Sequence, residues 1–425
     1  ACTNLIVSPG ASADGSTYIT YTCDGEFHPT LRLIPAADHE PGAVQEITRW
    51  GGEVLGDVPY PEHTWHVVSR MNEHQVSIAE TTTGGREELT NPDGLLPYWT
   101  LMRLALQRAA TAREAVEVMG RLVADHGYRS SGESFAIGDP DEAWIMEMVG
   151  PGPGGKGAHW VAIRVPDGMI SAYANGGRIG EIPADGGQTC LHSDLEAMRA
   201  FARDQGWWDP AAGPFNWREA FHPGAPQKLR YTATRVWSLF RRAAPSLDLP
   251  DDFHRGVPDA EPYPLFVEPD AKLTTADVFQ LMRDHYEGTP YDMTQGVDAG
   301  PHGNPVRYRP MGWEVDGEVY TWERPISTQQ TGFSMVCQSR RWLPDAVGGL
   351  TWYGLDDTDF TCYMPLYCSI EALPVSYETG SLGAFSWDSA WWVFNFVSNY
   401  AMLRYDAMIQ DVRAAQSDIE GTFLD

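Results

Sequence analysis

The sequence is short of three things, and each shortage closes off a class of protein. It has no apolar run near the roughly 20 residues needed to span a bilayer. The nearest approach, 390–409, is interrupted by Asn395, Ser398, Asn399, Arg404 and Asp406. Basic residues are scarce: 30 Lys and Arg stand against 58 Asp and Glu, a formal charge of −28. Such a surface repels phosphate backbones and anionic lipid, so neither nucleic acid nor a membrane span is expected. Six cysteines in 425 residues are too few for a disulfide scaffold, and none forms a CxxC pair. Structural zinc is therefore not expected, and no cofactor or metal is implied. Cys362 and Cys368 are spaced to close a small loop, or stand as two buried thiols. The acid-rich stretches 247–252 and 354–360 do not follow the EF-hand pattern and read as solvated loops.

What is present is a globular composition, 43% hydrophobic and 12% aromatic, with enough apolar surface for one large or two ordinary cores. No internal repeat or low-complexity tract divides it. The expectation is one domain over 1–425, with a less regular, insertion-like region at about 180–270 and a C-terminal helix at about 387–415. "TNLIVSPG" and "STYITYT" flank a Gly/Ser/Asp-rich turn and predict an opening hairpin. Two further β-rich runs lie about "MNEH" in 63–85. The period turns helical at 95–109 and again after Thr111, where Thr111 and Glu114 make a capping box and Gly127 a stop. A meander follows, with "ESFAIG" and "EAWIMEMVG" about "DPDE", then "AHWVAIRV" and "MISAYAN" about "PDG". Helices are predicted over 228–243 and 274–288, and late strands in "EVYTWERP" and "TGFSMVCQSRR". Strands, a helical pair and more strands in one block indicate an α+β fold with helices layered on antiparallel sheets. Strands from the two chain ends are candidates to share a sheet. The Trp-rich 206–217 stretch reads as packing against that framework, with a peptide or carbohydrate platform as the alternative.

The chemistry centres on Cys2. A thiol beside a free α-amine carries its own base, because the amine's pKa of about 7.7–8.0 leaves a useful neutral fraction near pH 7. That activation requires the bond between Ala1 and Cys2 to be cut. Taken alone, a terminal cysteine is more often a core residue than a nucleophile. The chain begins Ala1-Cys2 without Met, from which removal of a leader is expected. With the acidic surface this suggests a secreted, periplasmic or cell-surface protein, a cytoplasmic setting being the alternative. Ala before Cys also fits a lipoprotein signal, in which Cys2 is lipid-modified rather than catalytic.

Five stretches widen the view: "CTNLIV" running to Asp24, "MNEHQVSIAETT" with its Gly pair, "GESFAIGDPDEAWIMEMVGPG", "WVAIRVPDGMISAYANGGRI" and "ISTQQTGFS". Together they resemble the N-terminal-nucleophile cysteine dipeptidases, the family of dipeptidase A and the secernins, over nearly the whole chain. The resemblance implies the four-layer αββα sandwich of those hydrolases, exposure of the cysteine by autoprocessing, and metal-free hydrolysis of small peptides. It puts Cys2 on the nucleophile and Asp24 on the acid that orients the α-amine. Asn175 falls on the oxyanion-hole amide of related acylases, and Arg235 on the arginine that closes the site. The plainer readings are a strand-end acid, an Asn-Gly turn and a helix-surface arginine.

Two departures matter. Tyr21 stands where the lactobacillal enzymes carry Arg, so a substrate carboxylate needs another cation, with Arg70, Arg86, Arg178 and Arg235 as candidates. Ala1, if retained, leaves Cys2 with an amide in place of an amine. Period-two spacing puts Asn72, His74, Val76, Ile78 and Glu80 on one strand face, with Glu80 placed to meet a dipeptide's ammonium and Glu73 on the opposite face. A His74–Cys2 dyad is the minor mechanism. The expected partners are small peptides, with a leaning toward a homo-oligomer. Two alternatives remain: an N-acyl amide hydrolase of the penicillin V acylase kind, and a non-catalytic, secernin-like or lipid-anchored binding protein.

Overall fold

The computed structural model describes residues 2–224, 226–296, 299–306 and 312–425. Ala1 lies outside them. Two antiparallel sheets organise the chain into a mixed α/β architecture. The first has six strands in the order β10-β1-β2-β12-β13-β14. They are β1 (Cys2–Val7), β2 (Thr17–Asp24), β10 (Ile170–Tyr173), β12 (Thr331–Ser339), β13 (Leu350–Leu355) and β14 (Met364–Tyr367). The second has eight, in the order β11-β9-β8-β7-β6-β5-β4-β3. In chain order these are β3 (Leu33–Ile34), β4 (Val67–Val68), β5 (Met71–Asn72), β6 (Ser77–Thr82), β7 (Gly132–Gly138), β8 (Ala143–Val149), β9 (His159–Arg164) and β11 (Cys190–His192).

The opening hairpin forms as expected, with Cys2 opposite Cys23 and Ile6 opposite Ile19. Strands from the two chain ends do share a sheet, since β12 pairs with β2 along its length. Alternation along β1 sends Cys2 and Ile6 into a core with Ile19, Tyr21, Ala79, Ala136, Ile145 and Met335, which belong to both sheets. Leu5 and Val7 face the other way, onto helices α3 (Pro226–Ala243) and α4 (Thr275–Met282) through Val236, Leu239, Phe240, Phe279 and Met282. On the second sheet, Ile78, Phe135, Ile137, Trp144 and Met146 meet Leu101, Leu104, Val116 and Met119 of α1 (Tyr98–Leu106) and α2 (Ala112–His126). α2 starts where its cap requires, with the Thr111 hydroxyl accepting from Glu114 N, and ends at Gly127 with φ 80°.

Several elements differ from expectation. "PDG" is not a hairpin turn: β9 stays in the second sheet while β10 crosses to pair with β1, because each has an apolar partner strand on a different layer. The run 72–80 is not one strand. Gln75 adopts φ 63°, breaking the alternation so that β6 begins only at Ser77. The helix expected over 274–288 ends at Met282, where Arg283 leaves helical geometry. The long C-terminal helix is two, α5 (Ala390–Ala401) and α6 (Tyr405–Leu424), separated by a 3-10 turn at Met402–Arg404. The region 180–270 carries β11, α3 and shorter helices at Leu195–Asp204 and Trp217–Phe221. Its tryptophans pack, Trp207 beneath Arg86 and Trp217 fully buried. No disulfide joins Cys362 to Cys368. Among the described residues no helix is long and apolar enough to cross a membrane.

Candidate active site

Strand β1 begins at Cys2, so its sulfur sits at the head of a central strand, 5% exposed. The Sγ atom lies 3.5 Å from Glu80 Oε1, and the Tyr21 hydroxyl donates to the same oxygen. Beyond Ser77, β6 has no ladder partner in β5, and the Glu80 side chain reaches from that open edge to the facing sheet. Tyr21 sits in the Cys2 core, edge-on to Phe333 at 5.3 Å. A hydrogen bond with Cys23, then burial, then the Glu80 charge push the Cys2 thiol well above its usual range. The group is therefore a neutral thiol at rest, and attack by its sulfur needs a base.

The backbone of Cys2 is held from the other side. Cys2 N donates to Asn175 Oδ1 at 3.1 Å. The Arg235 guanidinium spans the same region, donating to Cys2 O at 2.7 Å, Thr3 Oγ1 at 2.9 Å, Ala174 O at 3.1 Å and Asn175 Oδ1 at 2.9 Å. It is a fully buried arginine on α3, and burial, with Arg324 nearby, lowers its pKa to about 10. Asn175 has φ 63°, a left-handed conformation that asparagine accepts more readily than most residues. The turn aims its carboxamide at β1, with Nδ2 donating one N–H to Thr82 O at 2.8 Å.

Asp24 ends β2 one residue beyond the partner of Cys2. Its carboxylate is paired with Arg324 and accepts from Thr331 Oγ1 at 2.6 Å. Burial opposes the Arg324 charge, yet the Asp24 carboxylate holds its pKa above the ordinary arginine value. Sequence reasoning missed Arg324: "WERP" carries no chemical motif. It supplies a buried positive charge at the end of β2, beside Asp24. Glu133 was missed as well, though a carboxylate on the same β7 face as Phe135 and Ile137 was a signal. It is 1% exposed and opposite Thr82 in the β6–β7 ladder.

The structure brings Cys2, Tyr21, Glu80, Asn175 and Arg235 together, with Asp24 beside them. Asn72 is not part of this group. Its amide donates to Leu106 O and Ala109 O and accepts from His74 N and Val76 N, so it is a turn staple whose capacity is used by backbone. Glu73 accepts from His66 N, and His74 packs on Trp65 and Asp345, away from Cys2. Of the candidate cations, Arg178 is spent on the carbonyls of Ala172, Tyr263 and Pro264, and Arg86 on Ala220 O. Arg70 stands over the Tyr21 ring. Asn175 also forms part of the wall of a cavity of about 460 Å³, together with Thr83, Arg218, His222, Lys228 and Thr232. No cluster of three or more His, Cys, Asp or Glu suited to a metal occurs among the described residues.

Sequence comparison identifies relatives along most of the chain. The Salmonella dublin protein named probable dipeptidase is 26% identical over 410 residues, covering 90% of this chain and 84% of its own. A Bifidobacterium longum dipeptidase is 26% identical over 417 residues, covering 89% and 73%. Probable dipeptidase B of Lactococcus lactis is 25% identical over 434 residues, covering 96% and 83%. A profile of peptidase family C69 matches residues 53–418. With most of its length inside that match, this chain belongs to peptidase family C69.

Proposed function

We propose that this protein is an N-terminal-nucleophile cysteine dipeptidase, built as a four-layer αββα sandwich, and that Cys2 is its nucleophile. The helices packed on the outer face of each sheet support the fold, and the names of the relatives support the substrate. The reading requires cleavage of the Ala1–Cys2 bond. The freed α-amine, held by Asn175 Oδ1, takes the Sγ proton as sulfur adds to the scissile carbonyl. The remaining Nδ2–H of Asn175 and a backbone N–H receive the oxyanion. The ammonium returns its proton to the departing amino group, and water, deprotonated by the same amine, clears the thioester. Arg235 fixes Cys2 and Asn175 relative to one another, and the Asp24–Arg324 pair orients the end of β2.

The observation that carries this reading is the 3.5 Å contact between Cys2 Sγ and Glu80 Oε1. In a peptide the α-nitrogen lies about 2.5 Å from its own carbonyl carbon. A carbonyl in attack range of the sulfur, about 3–3.5 Å, therefore places a free ammonium within reach of Glu80. An N-acyl substrate would set a neutral amide against that carboxylate instead. The expected result is that Cys2→Ala leaves the fold intact and removes turnover of free dipeptides. Dipeptides with a blocked amine are poor substrates of the unsubstituted enzyme. Hydrolysis retained in Cys2→Ala, or blocked dipeptides cut as well as free ones, contradicts the proposal.

A further inference from the structure

Glu80 is not alone in the wall beside Cys2. On the β6–β7 ladder Thr82 stands opposite Glu133 and Glu80 opposite Phe135, so the two glutamates are diagonal neighbours on one sheet face. Both are 1% exposed, side by side on the ladder diagonal. Glu80 Oε2 and Glu133 Oε2 are each buried without a protein donor. Two neighbouring carboxyl groups, both dry and each with an oxygen lacking a donor, are satisfied together by one proton between them. The other titratable groups around the pair are Cys2, Cys23, Tyr21, Tyr98 and Tyr128. All are neutral in their protonated form; the α-amino group is the cation that acts on the pair, and it offsets only part of the effect of burial and of the Glu80 charge on Glu133.

We propose that Glu133 is a positioning residue for substrate recognition: its carboxyl, protonated, donates to Glu80 and holds Glu80 in place as the acceptor of the dipeptide's α-ammonium. The inference rests on the dipeptidase reading above and assigns the charge selectivity of that site to a pair rather than to one residue. Glu80 Oε1 already accepts from the Tyr21 hydroxyl and the Cys2 thiol, which makes Glu80 the acceptor of the pair and leaves the proton to Glu133, whose pKa burial first, then the Glu80 charge, raises well above the usual carboxyl range. With that donor, the second oxygen of Glu80 has a proton to accept in a dry site. Without it, that oxygen is left buried and unmet.

The test compares Glu133→Gln, which keeps a donor, with Glu133→Met, which keeps the volume and removes it. With alanyl dipeptides as probe, Glu133→Gln retains KM within about threefold. In Glu133→Met, KM at neutral pH rises about tenfold or more while kcat changes little. Wild-type KM in a folded Glu133→Met variant, or a fall in kcat with KM unchanged, overturns the proposal. Should that variant not fold, infrared difference spectra of wild type against Glu133→Gln at neutral pH decide. A protonated-carboxyl stretch lost on substitution supports the pair, and its absence overturns it. Turnover by Cys2→Ala, measured alongside, reports separately on the nucleophile, so the two ideas fail independently.

Discussion

Replacing Glu80 by Gln removes one charge from the site and almost no volume. An ammonium seated about 2.8 Å from a carboxylate oxygen is attracted by about 6 kcal/mol at an effective dielectric of 20. Dehydrating both ions offsets most of that, leaving about 1.5–3 kcal/mol for a charge-assisted hydrogen bond. At 1.36 kcal/mol per decade, Glu80→Gln therefore lowers kcat/KM for free dipeptides about ten- to hundredfold. The loss falls on KM. The Glu80 charge is also one of the causes that hold the Cys2 thiol up, after the Cys23 hydrogen bond and burial, so its removal eases proton loss and kcat does not drop in parallel. Tyr21 still has an oxygen to donate to. The assay is steady-state kinetics on one dipeptide and its N-acetyl derivative, in both proteins. The free peptide is expected to lose its advantage while the acetylated one holds or gains. An equal fall in both substrates would mean that Glu80 supports the architecture only, and no change in either would refute its contact with substrate.

Other perturbations probe the frame around the thiol. Arg235→Lys replaces a planar fork serving Cys2 O, Thr3 Oγ1, Ala174 O and Asn175 Oδ1 with a single ammonium. At least two buried acceptors go unmet, costing about 1–3 kcal/mol each; urea unfolding should show that loss, with kcat reduced at least tenfold. Wild-type kcat in this variant would remove Arg235 from the account. Asp24→Asn leaves Arg324 charged and buried, and breaking such a pair on one side costs about 3–5 kcal/mol. A shift in unfolding free energy below about 1 kcal/mol would show that the pair is not the anchor of β2.

The parts of the fold legible in the sequence were those where one local signal decided the outcome. The opening hairpin, the Thr111–Gly127 helix and the β7–β8 meander each carry a clean period, a cap or a tight turn. "PDG" misled because its local turn chemistry is silent on which sheet the next strand joins, a choice made by distant partners. The 72–80 run misled because its period-two alternation is interrupted by a left-handed Gln75, which a side-chain pattern does not report. In the site, Cys2, Asp24, Asn175 and Arg235 came from motif resemblance, and Glu80 from strand spacing that was itself partly wrong. Glu80 reaches Cys2 past an unpaired strand edge rather than across a regular face. Arg324 was beyond local reading and Glu133 gave only the signal of an acid on an apolar strand face: each matters through a partner 300 or 53 positions away, Arg324 through Asp24 and Glu133 through Glu80.

The most direct test of the central claim is intact-protein mass spectrometry of the active enzyme, quenched during turnover of a slow dipeptide ester. The account predicts a chain that begins at Cys2 and carries one acyl group, with the adduct mapped to the Cys2 sulfur. An active enzyme that still bears Ala1, or an adduct on any other residue, would contradict it.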